Sequence, residues 1–561
     1  MTPGIPARKD TVDVVVIGSG AGGAPVALTL AQAGAQVVVL EKGPYYSVRD
    51  FTHDEVAICR RNFFIPSIQD DPHTIRKGDE TQAHRTVEGW ISQCVGGGTV
   101  HMSGFSYRFN EKDLRLKSLT GGMADAELAD WPLALAELTS YYDRAEVLLG
   151  MSGQAGGNPF EPPRRPYPLP AVRQHPAALL IDEAGSSLHL HPFPTPRALL
   201  SRAYGGRPPC NYCGFCGEYG CENGSKSSML STLIPEAEAT GRCEIRAGCM
   251  ACRINIDEHA RAHSVEYVQR DGSTREIFAR VVVLAASAIE SARLLLLSTG
   301  NAFPHGLANG SGLVGKNLTF STFGKSTAIF DRQALTARLG REGMSLPFLQ
   351  RSCQDHYWIE KAGLALPKGG TYNFLFHHPN PINAAVRLAM DSKWTLWGQP
   401  LKDRMHQYFH DEIWMECEIF GEFLPWQGCS MDLDPTVKDR FGLPAARISI
   451  KHHPADQEVS RWMVKQSMDV FNAIKPAPKQ VNAWTWGTTT YHLQGGTCRF
   501  GTEPSQSVLD PSCQAHEVKN LYVTDGSFMP TSGGAPATPT IIANSFRVAD
   551  IIAERFRRKD I

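Results

Sequence analysis

Two short stretches of the chain have residue types and spacings that could do chemistry. Gly18, Gly20 and Gly23 form G-x-G-x-x-G, directly after the apolar run 12–17 (VDVVVI) and directly before the helical pattern APVALTLAQAGA. The first glycine permits a tight turn, the second lets backbone approach a pyrophosphate, and the third lets helix and strand pack closely. The helix N-terminus then points its unpaired N–H groups at the phosphates. Glu41 ends a second strand, QVVVLEKG, 18 residues beyond Gly23, where an acidic side chain binds a ribose diol. A glycine-rich turn alone also occurs in ordinary α/β units. The strand, the helix and Glu41 together point to a dinucleotide.

The other stretch is Cys210-x2-Cys213-x2-Cys216-x4-Cys221, four of the chain's 14 cysteines within twelve residues. Disulfide frameworks belong to small secreted chains, so in a long chain the cluster reads first as a metal site. Thiolates two to four residues apart can converge on one soft-metal centre. Structural zinc, disulfides and unliganded packing cysteines are the alternatives.

The elements that must position these residues can be read coarsely. At 561 residues the chain calls for two closely packed domains. Hydrophobic residues at 42% and charged residues at 20% are ordinary for a globular enzyme. Lys plus Arg (56) against Asp plus Glu (57) gives a net charge of -1, which offers no global pull toward nucleic acid or anionic membrane. No run of about 18 apolar residues marks a membrane span. The start, MTPGIPARKDTVDVVVIGSG, lacks the apolar stretch and cleavage site of a secretory signal, so no export signal of its own is expected. Residues 50–90 read as irregular, 130–150 as a helix opened by Trp131-Pro132, and 151–175 as an extended connection. A strand pair (SVEYVQRDG, REIFARVVVLAAS) leads into the helix AIESARLLLLSTG. Aromatic-rich strands, TYNFLFHH and EIWMECEIFGEF, follow, and the end returns to a strand (NLYVTDGS), a Gly/Pro loop and a helix. Nucleotide-domain features at both ends imply a discontinuous cofactor domain.

Four further motifs occur in order: Gly96-Gly97-Gly98-Thr99-Val100-His101, Ala285-Ala286-Ser287 before a helix, the run from His492 to Gly501 (HLQGGTCRFG), and Tyr522-Val-Thr-Asp-Gly-Ser527. Together with the first glycine turn they resemble the glucose–methanol–choline (GMC) oxidoreductases, from about Asp13 to Ile552 and most weakly over 320–480. The resemblance implies an α/β (α+β overall) fold: a Rossmann-like FAD-binding domain, discontinuous in sequence, and a substrate domain on a mostly antiparallel sheet. The expected division is 10–130 (FAD domain), 131–200 (connection), 205–320 (Cys-rich loop and return to the FAD domain), 321–485 (substrate domain) and 486–561 (FAD domain with the catalytic histidine).

The resemblance also assigns roles. Gly97, Gly98 and Thr99 would lie along the isoalloxazine, and Asp525 with Gly526 at the FAD diphosphate. His492 would be the active-site base, which suits a group titrating near neutral pH that takes a hydroxyl proton. His101 aligns with a position that bonds FAD covalently in some members and merely contacts it in others. The family's second catalytic His or Asn lies eleven residues before Arg547, which is Pro536 in this chain. Proline can do neither job through its side chain. Asn544, on the following helix, is as well explained by packing.

The cysteine spacing resembles the Cys-rich insert in catalytic subunits of bacterial gluconate, 2-ketogluconate, fructose and FAD-glucose dehydrogenases. That branch implies an iron–sulfur cluster (3Fe-4S or 4Fe-4S) at Cys210, Cys213, Cys216 and Cys221, relaying electrons to a cytochrome-type acceptor. The spacing departs from the glucose and fructose enzymes, and long-chain alcohol oxidases carry a similar loop. The branch also implies a small partner subunit that carries the folded chain out of the cytoplasm, giving a periplasmic or membrane-associated place; a cytoplasmic one is the alternative. Three readings follow: an FAD-dependent alcohol or sugar dehydrogenase with a relay, an oxygen-using oxidase with structural cysteines, and a flavin electron-transfer subunit without substrate chemistry. His492 argues against the third. Trp394, Trp397, Trp414 and Trp426 are candidate faces for a sugar or aromatic substrate, or simply core.

Overall fold

The computed structural model describes residues 10–60, 63–87, 89, 92–340, 350–376, 380–390, 396–485 and 492–561, with 59, 60 and 322 in their backbone alone. Trp394 lies outside the described residues.

One sheet organises the nucleotide half. Its central strands are Thr11–Ile17, Val37–Glu41, Cys243–Ala247, Thr274–Leu284 and Val518–Val523, all parallel to one another. Their valines (Val14–Val16, Val37–Val39, Val281–Val283) are buried, as expected of strands covered on both faces. The register aligns Ile17 with Leu40 and Leu284, and Leu284 with Val523. The carboxyl ends of four strands therefore stop at one level, and the residues after them open a common crevice. In open α/β sheets that crevice is where ligands bind. Helix Thr538–Arg557 packs on helix Ala24–Gln32 and on helix Leu135–Leu149, closing the sheet with the end of the chain. Among the described residues no helix is long and apolar enough to cross a membrane.

The other half is built on a six-stranded antiparallel sheet, ordered Gln480–Trp484, Thr322–Asp331, Glu412–Gly421, Gly370–Phe376, Arg351–Cys353 and Phe193–Pro194. Helix Pro454–Ala473 covers it. A mixed sheet lies between the halves and includes His73–Lys77 and His84–Thr86. The stretch 50–90, expected to be irregular, thus contributes two strands. It lacks an alternating apolar pattern because it pairs with Pro444–Ile450 along an edge, where neighbours rather than its own burial fix its conformation. The helix expected from Asp130 starts only at Leu135, since Trp131 is pulled into the core, where its Nε1 donates to Thr531 Oγ1 at 2.8 Å.

Asp113 joins the halves. It is fully buried, and its carboxylate accepts from Lys368 Nζ, Gly534 N (3.0 Å), Tyr357 Oη (2.7 Å) and Asn110 N (2.8 Å). A carboxylate has about four acceptor positions, and all are used. Lys368, also fully buried, is its charge partner. Losing one member of such a pair strands the other in a medium that solvates it poorly. Asp113→Asn should therefore lower stability by about 3 kcal/mol or more, read as a fall in the urea midpoint. An unchanged midpoint would show that the pair is not structurally required.

Candidate active site and cofactor cavity

A single connected cavity of about 1590 Å³ runs from the crevice of the parallel sheet to the face of the antiparallel sheet. Ordinary small-molecule pockets are about 300–1,000 Å³, so this one has room for a dinucleotide and a substrate together. Gly18, Gly20, Glu41, Gly97, Gly98, Thr99, His101, His492, Asp525 and Gly526 all line it. Gly23 does not; it stands behind the turn, where a Cβ would lie 1.9 Å from the Gly18 carbonyl oxygen.

The crevice suits an elongated phosphate-bearing cofactor. Gly18 has φ +99°, and a Cβ there would sit 2.3 Å from the Ala285 carbonyl oxygen. At Gly20 the nearest atom to an added Cβ is 3.8 Å away, and Gly98 has nothing within 4 Å, so bare backbone faces the cavity at both points. Glu41 accepts from Ser19 Oγ (2.7 Å), Ser19 N (3.2 Å) and Gly43 N (2.9 Å). That leaves acceptor capacity for a ribose hydroxyl. Burial raises its proton affinity, against these hydrogen bonds. Lys42 beside it is tied to Asp71 (2.8 Å) and Glu290 (3.2 Å), and Glu290 in turn to Arg293 and His73. Thr99 is buried; its Oγ1 donates to Gly96 O (2.6 Å) and accepts from Met229 N (2.9 Å), bracing the second glycine turn.

Asp525 lines the cavity at the expected place, with its carboxylate turned to protein donors. Its carboxylate accepts from Ser287 N (3.0 Å), Ser291 Oγ, Ser527 N (2.9 Å) and Ser527 Oγ (2.5 Å). The side chain is saturated by protein donors, so what Asp525 and Gly526 can offer a cofactor is backbone.

His492, His101 and Pro536 also line the cavity. Burial pushes the His492 imidazole below its ordinary value, with Glu218 opposing that shift. His101 is pushed down to about 3, by burial first and then by the Lys226 and His492 charges, and its ring stacks on Phe64. Both imidazoles are therefore neutral at neutral pH, and His492 can accept a proton. Asn544 is a packing residue: its side chain donates to Cys513 Sγ (3.3 Å) and accepts from Arg547 Nε (2.9 Å), away from the cavity.

The far wall is one face of the antiparallel sheet. Lys325, Thr327 and Ile329 alternate toward the cavity on strand Thr322–Asp331 and Trp414, Glu418 and Phe420 line it from strand Glu412–Gly421, with Asn482 and Trp484 on Gln480–Trp484 and Arg387 and Arg404 on covering helices. Lys325 pairs with buried Glu416 at 2.8 Å, and Arg404 with Glu412 at 3.1 Å. Of the tryptophans proposed as substrate faces, Trp414 lines the cavity. Trp397 is 78% exposed, and Trp426 lies elsewhere, donating to Lys451 O. Trp484 lines the cavity as well; in sequence it is one tryptophan among ten.

The four clustered cysteines do not form the expected metal site. They are free thiols, and among the described residues no three or more His, Cys, Asp or Glu side chains are placed to hold a metal ion. Cys210 and Cys216 turn into a small apolar cluster with Val172, Leu199 and Tyr212. Burial raises Cys210 to about 11, and raises Cys213 and Cys216 as well. Cys221 is lowered: burial opposes this, but hydrogen bonds from Lys226 N and Ser225 and the Lys226 charge outweigh it. Spacing put the thiols on one loop, but other forces set the path of that loop. Lys226, whose ammonium is buried and donates to three carbonyls, was not foreseen. Glu218 was not foreseen either, although it is the lone charged residue between Cys210 and Cys221.

Comparison with known proteins agrees with this geometry. GMC oxidoreductase sequence profiles match residues 199–322 and 425–545, and an FAD binding domain profile matches 13–50. The chain is 29% identical to the 2-methyl-1,2-propanediol dehydrogenase of Mycolicibacterium austroafricanum, over 98% of this chain and 96% of that one. It is 30% identical to the paromamine 6'-oxidase of Streptomyces fradiae (96% and 91%), and 27% identical to the gluconate 2-dehydrogenase flavoprotein of Pantoea cypripedii (97% and 94%). With two family profiles matched and relatives covered almost end to end, the chain belongs to the GMC oxidoreductases, FAD-dependent enzymes that oxidise alcohol or sugar hydroxyls.

Proposed function

We propose that the chain dehydrogenates a small polyhydroxylated or diol substrate, with His492 as the base that takes the hydroxyl proton. The observation that carries this is the neutral imidazole of His492 in the cavity shared by the glycine-lined crevice and the polar wall of Lys325, Asn482 and Trp414. The wall supplies hydrogen-bond donors, acceptors and an aromatic face, which orient a hydroxylated ligand. Bound FAD supplies the acceptor for the hydride that leaves the carbinol carbon, so the alcohol becomes a carbonyl. His492 receives the proton at an imidazole nitrogen, and burial keeps that nitrogen deprotonated until the substrate arrives. Relatives named as a 2-methyl-1,2-propanediol dehydrogenase, a paromamine 6'-oxidase and a gluconate 2-dehydrogenase flavoprotein support the substrate class.

For the electrons leaving the flavin, the dehydrogenase reading calls for an external acceptor, and the cysteine spacing for an iron–sulfur relay to it. The thiols as placed do not fit a cluster, so no step is routed through one. The same observation favours a second reading, an oxygen-using oxidase in which the cysteine-rich loop is structural. Turnover of one substrate with oxygen and with a dye acceptor separates the two.

His492→Ala should retain FAD and slow anaerobic flavin bleaching by about a hundredfold or more, the scale of losing a positioned base. A panel of 2-methyl-1,2-propanediol, paromamine and gluconate supplies the reductant, and stopped-flow absorbance the rate. Near-normal bleaching in the variant would place the base elsewhere.

Cys213→Ser should keep both its flavin and its substrate-driven bleaching, because the thiol takes no part in the reductive step. Iron and acid-labile sulfide are measured alongside on anaerobically purified protein. Stoichiometric iron that disappears with the substitution would show that the loop closes around a cluster after all.

A further inference from the structure

His492 is followed at once by a backbone turn that needs an outside hold. Leu493 stands at φ +60°, a conformation that a bulky residue keeps only where its surroundings over-determine it. From Gly495 onward the backbone is fixed as strand Gly495–Thr497, paired with Lys316–Thr319. Just beyond that pairing, Ser321 N donates to His492 O at 3.4 Å. We propose that Glu422 is the positioning residue for His492, acting through Ser532 and Ser321. The proposal rests on the reading of His492 as the base.

The contacts run from the carboxylate to the histidine without a break. Glu422 Oε1 accepts from Ser532 N (2.8 Å) and Ser532 Oγ (3.1 Å), and Oε2 accepts from Gly533 N (3.1 Å). Ser532 Oγ in turn accepts from Phe423 N (2.8 Å). The Ser532 carbonyl oxygen accepts from Ser321 Oγ (3.4 Å), and the Ser321 carbonyl oxygen accepts from Gly421 N (3.2 Å). Residues 421–423, at the end of strand Glu412–Gly421, thus hold Ser532 and Ser321 together, and Ser321 holds the backbone of His492. Gly534 is fixed separately: its N donates to Asp113 (3.0 Å), and its O accepts from Thr371 Oγ1 (2.8 Å).

Glu422, Ser532 and Ser321 are fully buried and stand behind the cavity wall, so they act on a substrate through His492 and not by contact. Both Glu422 oxygens are in use as acceptors, which an amide cannot reproduce, because its nitrogen only donates. A base must keep its acceptor nitrogen within hydrogen-bond reach of the hydroxyl. A displacement of about 1 Å at such a centre costs about a hundredfold in rate. The backbone of His492 sets where its imidazole starts, and this network sets the backbone. The glycine-lined crevice is walled by other segments, the turns at 18–23, 285–287 and 524–527, so loosening the network should leave the flavin in place.

The FAD-loaded protein is bleached anaerobically over a range of concentrations of the best panel substrate, giving a limiting rate and a half-saturating concentration. Glu422→Gln should keep its flavin and lower the limiting rate about tenfold or more. Its half-saturating concentration should stay within about twofold, since ground-state binding is untouched. Ser321→Ala cuts the link but leaves the carboxylate and its three hydrogen bonds, and should lower the limiting rate in the same way. Because the two act along one path, the double variant should be slower than the slower single variant by no more than about twofold. An unchanged limiting rate in either single variant overturns the proposal. So does a loss confined to the half-saturating concentration, and so do effects that multiply in the double variant, as independent losses would. If Glu422→Gln loses flavin or fails to fold, Ser321→Ala decides alone: a lower limiting rate at unchanged half-saturation supports the proposal, and an unchanged rate overturns it. Failure of the underlying reading looks different, since it appears as unimpaired bleaching by His492→Ala.

Discussion

The whole arrangement depends on three backbone segments, far apart in sequence, approaching more closely than any side chain would allow. A Cβ on Gly18 would lie 2.3 Å from the Ala285 carbonyl oxygen, and one on Gly22 would lie 2.8 Å from Asp525 and from the Thr524 carbonyl oxygen. Thr524 Oγ1 and Ser545 Oγ both donate to Gly22 O, at 2.8 and 2.5 Å. The first turn, the 285–287 turn and the 524–527 turn thus make one wall at the end of the parallel sheet. The discontinuous domain is a direct consequence, because the third segment is close to the end of the chain.

Around that wall, two buried ions fix the loops that line the reaction end. Asp113 gathers four donors, one of them Gly534 N, and so holds the stretch leading to Pro536. Glu422 assists by accepting from Ser532 N and Gly533 N, and burial raises it to about 7. Lys226 does the reverse with its three carbonyl acceptors, and burial pushes it down to about 8. In both cases an ion with every hydrogen-bonding position filled is paired with irregular backbone. A buried polar network of this kind is stabilising only when complete, and a complete one gives a loop a single geometry. Loops that carry function on a rigid scaffold need that uniqueness more than they need added stability.

The cysteine-rich loop is a case in which spacing and environment point in different directions. Four thiols within twelve residues suggest a shared metal. The folded loop instead turns Cys210 and Cys216 into an apolar cluster and leaves its one charged residue, Glu218, exposed in the cavity lining. The aromatic stack on Phe215 and the Lys226 clamp set its course, and neither partner is near in sequence to the residue it holds: His53 and Met102 lie more than a hundred residues away.

Much of this was determined by the sequence alone. The run of valines before Gly18, the helix after Gly23 and the strand ending in Glu41 are local patterns, each set by burial on both faces or by the backbone freedom of glycine. The ordered motifs extended that to the family, and so to FAD. What tertiary structure decided is whatever depends on two distant segments meeting. Asp525 carried the expected position but spends its carboxylate on serines of the 287–291 and 527 turns, which a linear reading cannot see. Residues 50–90 gave no strand pattern because their strands are stabilised by a partner near residue 447. Trp484 lines the cavity from its strand, while Trp426 lies on a loop that turns its indole to Lys451 O, a placement set by tertiary contacts. Charge partners such as Lys226 and Asp113 leave no periodic trace, because electrostatic saturation is a property of the folded environment and not of neighbouring residues.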